Sequence, residues 1–299
     1  MTEADEFESS GAKKPGVVVI TGSGSIGVAC ARRFQDHVIV LADVSGDRLE
    51  AAVEELSIDG IRSVVCDVSD RNATGHLAET AASLGRLHAI VNTAGVSGTL
   101  SNRDLIFAVN LVGTLNVLES FEPYVSEGTV GICVASIGGH QEFTYKLDAL
   151  LVAADPLARL REAGALEVSN SAAYAITKRG VILQCQRRAR IWGSRGGRLV
   201  SVSPGLMEDT PMGAASLERG PGRPYAEWSA VGRNGRAEEL AAVVAFLSSD
   251  DASFISGCDI LVDGGLVAGI DQHLSIEERE RWHACAFSSQ QGEAVRTPS

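Results

Sequence analysis

The sequence predicts an α/β protein built on a single doubly wound parallel sheet with helices on both faces. Three observations predict it. Continuous β-branched runs, such as GVVVIT at residues 16–21 and TVGICVA at 129–135, mark strands buried on both faces. Helical stretches alternate with these runs, as they must when parallel strands are joined by crossover helices. A glycine-rich turn, Gly22-Ser23-Gly24-Ser25-Ile26-Gly27, stands between the first strand and the first helix.

The elements follow in order. Residues 16–21 form the first strand, and a helix runs through Arg33. HVIVLA at 37–42 is the second strand. Ser45 caps a helix to about Glu55, because its hydroxyl can accept a free N–H of the first turn. Strands at 62–66 and 88–92 flank a helix opened by Asp70. A long helix from Ser101 to about Phe121 leads to the strand at 129–135. Another covers about 172–192 and leads to a strand at 198–202, and a helix at 238–247 precedes the last strand at 258–262. Residues 140–170 interrupt the alternation. Leu147 to Leu166 reads as helical, with Asp155-Pro156 as a break or a new start. The expected organisation is a polar tail at 1–14, one domain at 15–270 with a helical insertion at 140–170, and a carboxyl-terminal extension at 271–299 that frays.

Composition narrows the function. The 299 residues are 45% hydrophobic and 21% charged, an ordinary globular balance. A net charge of −12 gives no field for nucleic acid or an anionic membrane, and Trp192, Trp228 and Trp282 show no stacking pattern. No apolar stretch reads as membrane-spanning and no signal peptide is visible, so a cytoplasmic protein is expected. The six cysteines show neither CxxC pairing nor a zinc-like cluster, which predicts reduced thiols and no metal.

The glycine turn has a chemical reading. Glycines let the backbone approach a pyrophosphate, and the following helix N-terminus offers free N–H groups. Asp43 ends the second strand, where a carboxylate can accept the ribose hydroxyls of NAD and repel the extra phosphate of NADP. Arg48 reads as a solvated helix-face residue, leaving Asp43 without a neighbouring cation. Further on, Tyr174 and Lys178 are four apart and share a helix face. A tyrosine ionises near pH ~10, and a nearby ammonium lowers that value toward neutrality. His140 reads as a surface loop histidine. The cluster Arg187, Arg188 and Arg190 reads as a complement to a helix C-terminus.

With these residues in order, the chain resembles the short-chain dehydrogenase/reductase family over about residues 15–268, which implies a Rossmann-type sheet. Gly22, Ser25 and Ile26 look like the cofactor loop. Asp67 and Val68 resemble the pair that lines the adenine. Asn92, Ala94 and Gly95 resemble the family's NNAG turn, Pro204-Gly205 its turn over the nicotinamide, and Asp263-Gly264-Gly265 its closing DGG. The resemblance implies four catalytic residues. Tyr174 transfers the proton, Lys178 binds the nicotinamide ribose and holds the tyrosine pKa down, Ser136 bonds the substrate oxygen, and Asn110 anchors a water.

Three departures stand out. The glycine loop is one residue shorter than the family's usual form. Thr210 lies one residue further from Pro204-Gly205 than usual, which leaves its contact to the nicotinamide carboxamide open. The gap from Ser136 to Tyr174 is long, and here the chain is similar to the bacterial 3α-hydroxysteroid dehydrogenase/carbonyl reductase subgroup.

The implied activity is NAD-dependent interconversion of a secondary alcohol and a ketone, with a hydroxysteroid or other bulky apolar carbonyl compound as substrate. The alternatives are a 3-oxoacyl reductase and a catalytically silent NAD-binding regulator. The family also implies a homodimer or homotetramer. The insertion is expected to form a helical flap that walls an apolar pocket, or else to rebuild a subunit contact.

Overall fold

A computed structural model describes residues 15–219 and 224–284. The strands are β1 (Val17–Thr21), β2 (Val38–Asp43), β3 (Arg62–Val65), β4 (Leu87–Asn92), β5 (Val130–Val134), β6 (Arg198–Pro204) and β7 (Asp259–Val262). They form one parallel sheet in the order β3-β2-β1-β4-β5-β6-β7. The order reverses between β1 and β4, so a crevice opens at their carboxyl ends, where ligands bind in sheets of this kind.

Both faces are covered. Helices α1 (Ser25–Arg32) and α2 (Gly46–Leu56) lie on one face with α11 (Ala237–Ser248). Leu49, Leu240 and Val244 there pack against Ile20, Leu41 and Val91 of the strands. The other face holds α3 (Arg71–Leu84), α5 (Thr114–Phe121) and α8 (Asn170–Gly193). Leu77, Phe121, Cys185 and Trp192 pack there against Val19, Ile90 and Cys133. Side-chain alternation along the central strands sends residues to these two cores in turn, which explains their unbroken apolar runs.

The expected caps are present: Ser45 accepts the Arg48 N–H and Asp70 the Asn72 N–H. The helix expected over 101–121 consists of α4 (Arg103–Ile106), a π-helical segment at Phe107–Gly113 and α5. The run Arg103–Tyr124 is long and apolar enough to cross a membrane, contrary to the sequence reading. Its apolarity is explained by packing, since most of its apolar window is buried in this fold.

The insertion forms α6 (Tyr145–Leu151), capped by Thr144, and α7 (Pro156–Glu162), capped by Asp155. Asp155-Pro156 is thus a new helix start. Leu147, Leu151 and Leu160 are buried against Ile106, Phe107, Leu111, Ala173 and Ile176. Polar ties add to this contact: Arg179 makes two hydrogen bonds to the Asp148 carboxylate at 3.0 and 2.7 Å, and Gln184 donates to the Leu151 carbonyl at 2.7 Å.

After β6 come α9 (Pro211–Arg219) and α10 (Tyr225–Trp228), and after β7 come α12 (Leu266–His273) and α13 (Ile276–Ala284). The polar tail expected at 1–14 lies outside the described residues. So does 285–299 of the expected extension, whose earlier part is the end of α12 together with α13. Cys30, Cys66, Cys133 and Cys185 are buried free thiols, and burial pushes Cys30 up to about 12.

Candidate active site

Gly22 leaves β1 with φ +88°, a conformation that favours glycine. A Cβ there would stand 3.0 Å from the Ala94 nitrogen, and one at Gly27 would stand 1.9 Å from the Gly22 carbonyl oxygen. A Cβ at Gly24 would meet open space. Gly24 also starts α1 without a side-chain cap, so Ser25 and Ile26 open a helix whose first N–H groups no capping side chain takes up. This cradle fits a pyrophosphate.

Asp43 closes the cradle on one side. Its Oδ2 accepts from the Ser23 N–H at 2.9 Å and the Ser23 hydroxyl at 3.0 Å, and its Oδ1 accepts from the Ser45 N–H at 2.9 Å. Arg48 also donates to Oδ1, from Nη2 at 2.6 Å and Nε at 3.2 Å. The sequence reading of Arg48 is therefore corrected: the first turn of α2 points its guanidinium back at the strand end. Burial pushes the Asp43 carboxyl up, but the Ser45 and Ser23 N–H groups and Arg48 outweigh this and hold it below its ordinary value.

The next residues stand at or just after the carboxyl ends of β3 and β4. Asp67 is exposed and accepts from the Ser69 N–H and hydroxyl. Val68 is buried against Gly113, where a Cβ would lie 2.7 Å from Val68 Cγ2. Asn92 uses its side chain internally, accepting from Thr21 Oγ1 at 2.6 Å and donating to Thr114 Oγ1 at 3.1 Å. Its side chain thus ties β4 to β1 and α5. Ala94 backs Gly22, and Gly95 faces both Asn110 Oδ1 and Lys178 Nζ.

Asn110 sits in the π-helical segment and clamps the Val96 backbone. Its Oδ1 accepts the Val96 N–H at 2.8 Å and its Nδ2 donates to the Val96 carbonyl at 3.0 Å. Nothing in the sequence signals the π geometry, which often marks functional sites.

The proton-handling groups lie beside this clamp. Ser136 follows β5, and its hydroxyl accepts the Gly138 N–H at 3.2 Å. A Cβ at Gly138 would stand 3.7 Å from both the Ser136 hydroxyl oxygen and the Tyr174 ring, so the two side chains meet over this glycine. Tyr174 Oη donates to Met212 Sδ of α9 at 3.7 Å. Lys178 Nζ donates to the Val134 carbonyl at 2.8 Å and lies 5.7 Å from the Tyr174 ring centre.

Burial pushes the Tyr174 phenol above its ordinary value, the Ser136 hydroxyl works against this, and the Tyr225 phenol adds to it. Burial pushes the Lys178 amine down to about 8. The expected lowering of Tyr174 by Lys178 is therefore not seen here. The amine is directed at Val134, and desolvation governs both groups.

Pro204 ends β6, and Gly205 packs so closely on the residue after β7 that a Cβ would come 3.0 Å from Asp263 Cα. Beside this turn a cavity of about 240 Å³ is lined in part by Leu206, Met207, Tyr225 and Leu266. Thr210 uses its hydroxyl on the first turn of α9, donating to the Met207 carbonyl at 2.9 Å and accepting the Gly213 N–H at 3.0 Å. Its hydroxyl thus ties the loop after β6 to the first turn of α9. Met212, Tyr225 and Arg48 were not legible as site residues, since each reaches the site through loop or cap geometry.

Comparisons with known proteins agree with this fold. Residues 16–146 match the short chain dehydrogenase family model, and 161–267 match the related model described as enoyl-(acyl carrier protein) reductase. A short-chain dehydrogenase/reductase of Alternaria brassicicola is 33% identical over 274 residues, covering 86% of this chain and 98% of its own. A 3-alpha-hydroxysteroid dehydrogenase/carbonyl reductase of Comamonas testosteroni is 26% identical, covering 84% of this chain and 96% of its own. The solved structure of a short-chain type dehydrogenase/reductase from Mycobacterium ulcerans superposes with a TM-score of 0.69 at 25% identity, covering 85% of this chain and 90% of that one. The chain belongs to the short-chain dehydrogenase/reductase family, oxidoreductases of CH–OH groups that use a nicotinamide cofactor.

Proposed function

We propose that the protein is an NAD-dependent oxidoreductase that interconverts a secondary alcohol and a ketone, with Tyr174 as its acid/base. The observation that carries this reading is the convergence of the four side chains: Ser136 and the half-buried Tyr174 ring meet at Gly138, and Lys178 and Asn110 meet at Gly95. The bound nicotinamide supplies or accepts the hydride. Gly22, Ser25, Ile26 and Asp43 would hold its dinucleotide, with Asp67, Val68, Ala94 and Gly95 along the crevice and Pro204-Gly205 beside the reacting ring.

Tyr174 Oη gives its proton to the carbonyl oxygen during ketone reduction and takes the hydroxyl proton during alcohol oxidation. Ser136 donates a hydrogen bond to the same oxygen, which gains charge in the transition state. Lys178 carries its charge below about pH 8 and favours the phenolate whenever its amine turns from Val134 toward the tyrosine. Asn110 keeps the Val96 backbone clear of that path and offers an anchor for a water.

The substrate class is a bulky apolar carbonyl compound, a hydroxysteroid among the candidates. Ile137, Leu266, Ile270, Tyr225 and Trp228 form one apolar cluster next to Ser136, and Met212 covers the Tyr174 hydroxyl. These surroundings support an apolar ring better than a charged carrier-bound chain. A homodimer or homotetramer in the cytoplasm fits this reading, supported by exposed Leu261 on the edge strand β7 and by exposed Phe246 and Phe254.

A turnover screen with NAD⁺ and NADP⁺ against steroid, cyclic and aliphatic secondary alcohols tests the proposal. Turnover of apolar cyclic alcohols with NAD⁺, lost in Tyr174→Phe, is expected. No turnover with any of them would contradict it.

A further inference from the structure

The turn that carries Ser136 is fastened to the far edge of the sheet by a side chain the reaction itself does not use. Residues Ile137–His140 form a 3₁₀ turn directly after Ser136, and the Gly139 N–H donates to the Ser136 carbonyl at 2.9 Å. At its end, His140 Nε2 lies 2.8 Å from Asp259 Oδ2 on β7. The Asp259 side chain is 5% exposed, and its other oxygen accepts from the hydroxyl of fully buried Ser201 on β6 at 2.5 Å. An ionised carboxylate only accepts, so the proton of the first contact is assigned to Nε2.

The middle of the turn is wedged against the helix that carries Tyr174. A Cβ at Gly139 would stand 2.8 Å from Ile182 Cδ1 and 3.0 Å from the Lys178 carbonyl oxygen. The turn is therefore held at both ends and in the middle. Ser136 is one end, β7 through His140 is the other, and α8 is the wedge.

A buried carboxylate is costly unless paired and hydrogen-bonded, and here the pairing serves a turn of four residues. We propose that His140, held by Asp259 and Ser201, is a positioning residue that fixes the direction of the Ser136 hydroxyl toward the reacting oxygen. The inference rests on the catalytic reading of Ser136 and Tyr174. Without the latch the turn rotates, and the Ser136 hydroxyl follows its Gly138 N–H partner instead of the substrate oxygen. Bonds to developing charge fall off steeply with such misplacement.

The test is a double-mutant cycle on the full-length enzyme with its best ketone. His140→Ala should lower kcat about tenfold to a hundredfold. The Kd for NADH, read by nucleotide fluorescence, should stay within about twofold, because the cofactor loop is untouched. Asp259→Asn should show the same split if the alanine variant folds poorly. His140→Gln should recover much of the loss, since its amide N–H can still reach Asp259.

In a Ser136→Ala background, His140→Ala should add no further loss, because its effect runs through that hydroxyl. A loss that persists undiminished in this background overturns the inference, as does a His140→Ala variant with unchanged kcat beside an impaired Ser136→Ala. A loss of NADH binding in both His140→Ala and Asp259→Asn overturns it too. If Ser136→Ala alone leaves kcat unchanged, the catalytic reading of the site fails and the inference falls with it.

Discussion

Arg48 grips the Asp43 carboxylate with two nitrogens, at 2.6 and 3.2 Å, at the strand end that faces the dinucleotide cradle. The pair sets opposite charges side by side where the two nicotinamide cofactors differ. The protein should favour NAD(H), because ribose hydroxyls can take over the places of Arg48 and the Ser23 hydroxyl on the carboxylate, whereas a 2′-phosphate meets a like charge. Asp43→Ala leaves Arg48 as an unpaired, 60% exposed cation. The ratio of kcat/KM for NADPH over NADH should then rise about tenfold to a hundredfold, the worth of a charge-assisted contact. Adding Arg48→Ala should abolish the rise. A wild-type preference for NADPH would count against Asp43 as the selector.

Tyr174→Phe keeps the ring and removes the proton. Turnover should fall about 10²- to 10⁴-fold while NADH still binds. The pH dependence follows from the direction of the shift. Burial holds the phenol above its ordinary value, so the neutral form dominates at neutral pH. Ketone reduction uses that form and should stay flat there. Alcohol oxidation needs the phenolate, so its kcat/KM should climb as pH rises through the alkaline range. A flat oxidation profile would assign the base elsewhere.

The sheet was legible because its central strands, β1, β2, β4, β5 and β6, are buried on both faces, which forces unbroken apolar runs that periodicity can find. The order of site residues was legible because Gly22, Asp43, Tyr174 and Lys178 are tied to chain-local geometry. The turn, the strand end and the four-residue helix spacing are all written in neighbouring residues. What stayed hidden depends on cap geometry or on distant packing. Arg48 reaches Asp43 through the pitch of a helix turn, and Met212 reaches Tyr174 across α9. His140 looked like a loop residue because its partner, Asp259, lies far along the chain. The segment Arg103–Tyr124 is apolar enough to mislead in the other sense, since a core helix and a membrane helix share that composition.

Lys178 should cost stability as it supports turnover. Its folded-state value of about 8 lies below the ordinary lysine value of 10.5. Between those values the unfolded chain binds a proton that the folded protein does not, so stability rises with pH across that window. Below it both states are charged and the full burial cost is present. Lys178→Met should therefore stabilise the protein at pH 7 by up to about 3 kcal/mol while abolishing turnover, with the lost Val134 bond offsetting part of the gain. Denaturant melts of parent and variant at pH 7 and pH 10 check this. The gap should narrow at the higher pH, and a gap that widens would reverse the assignment.

The insertion should act on stability more than on substrate choice. Its buried side chains, Leu147, Leu151 and Leu160, face Ile106, Phe107, Leu111 and Ile176, and its polar ties run to Arg179 and Gln184 of α8. These contacts brace the helix that carries Tyr174, and Tyr174 itself packs against the same cluster. Leu151→Ala removes a fully buried side chain from this seam and should cost about 2–5 kcal/mol, the usual range for a leucine cavity that collapses only partly. Arg179→Leu leaves Asp148 without its guanidinium partner and should cost less, since both groups are partly exposed. In each variant that still folds at assay temperature, KM for bulky and for small ketones should move together or not at all. Replacing residues 144–166 with a short Gly/Ser linker goes further, because it bares the apolar side of the π-helical segment. The melting temperature should fall and self-association should rise. If Leu151→Ala instead raises KM for bulky ketones alone, with the melting temperature unchanged, the flap reaches the substrate and forms a wall of its pocket.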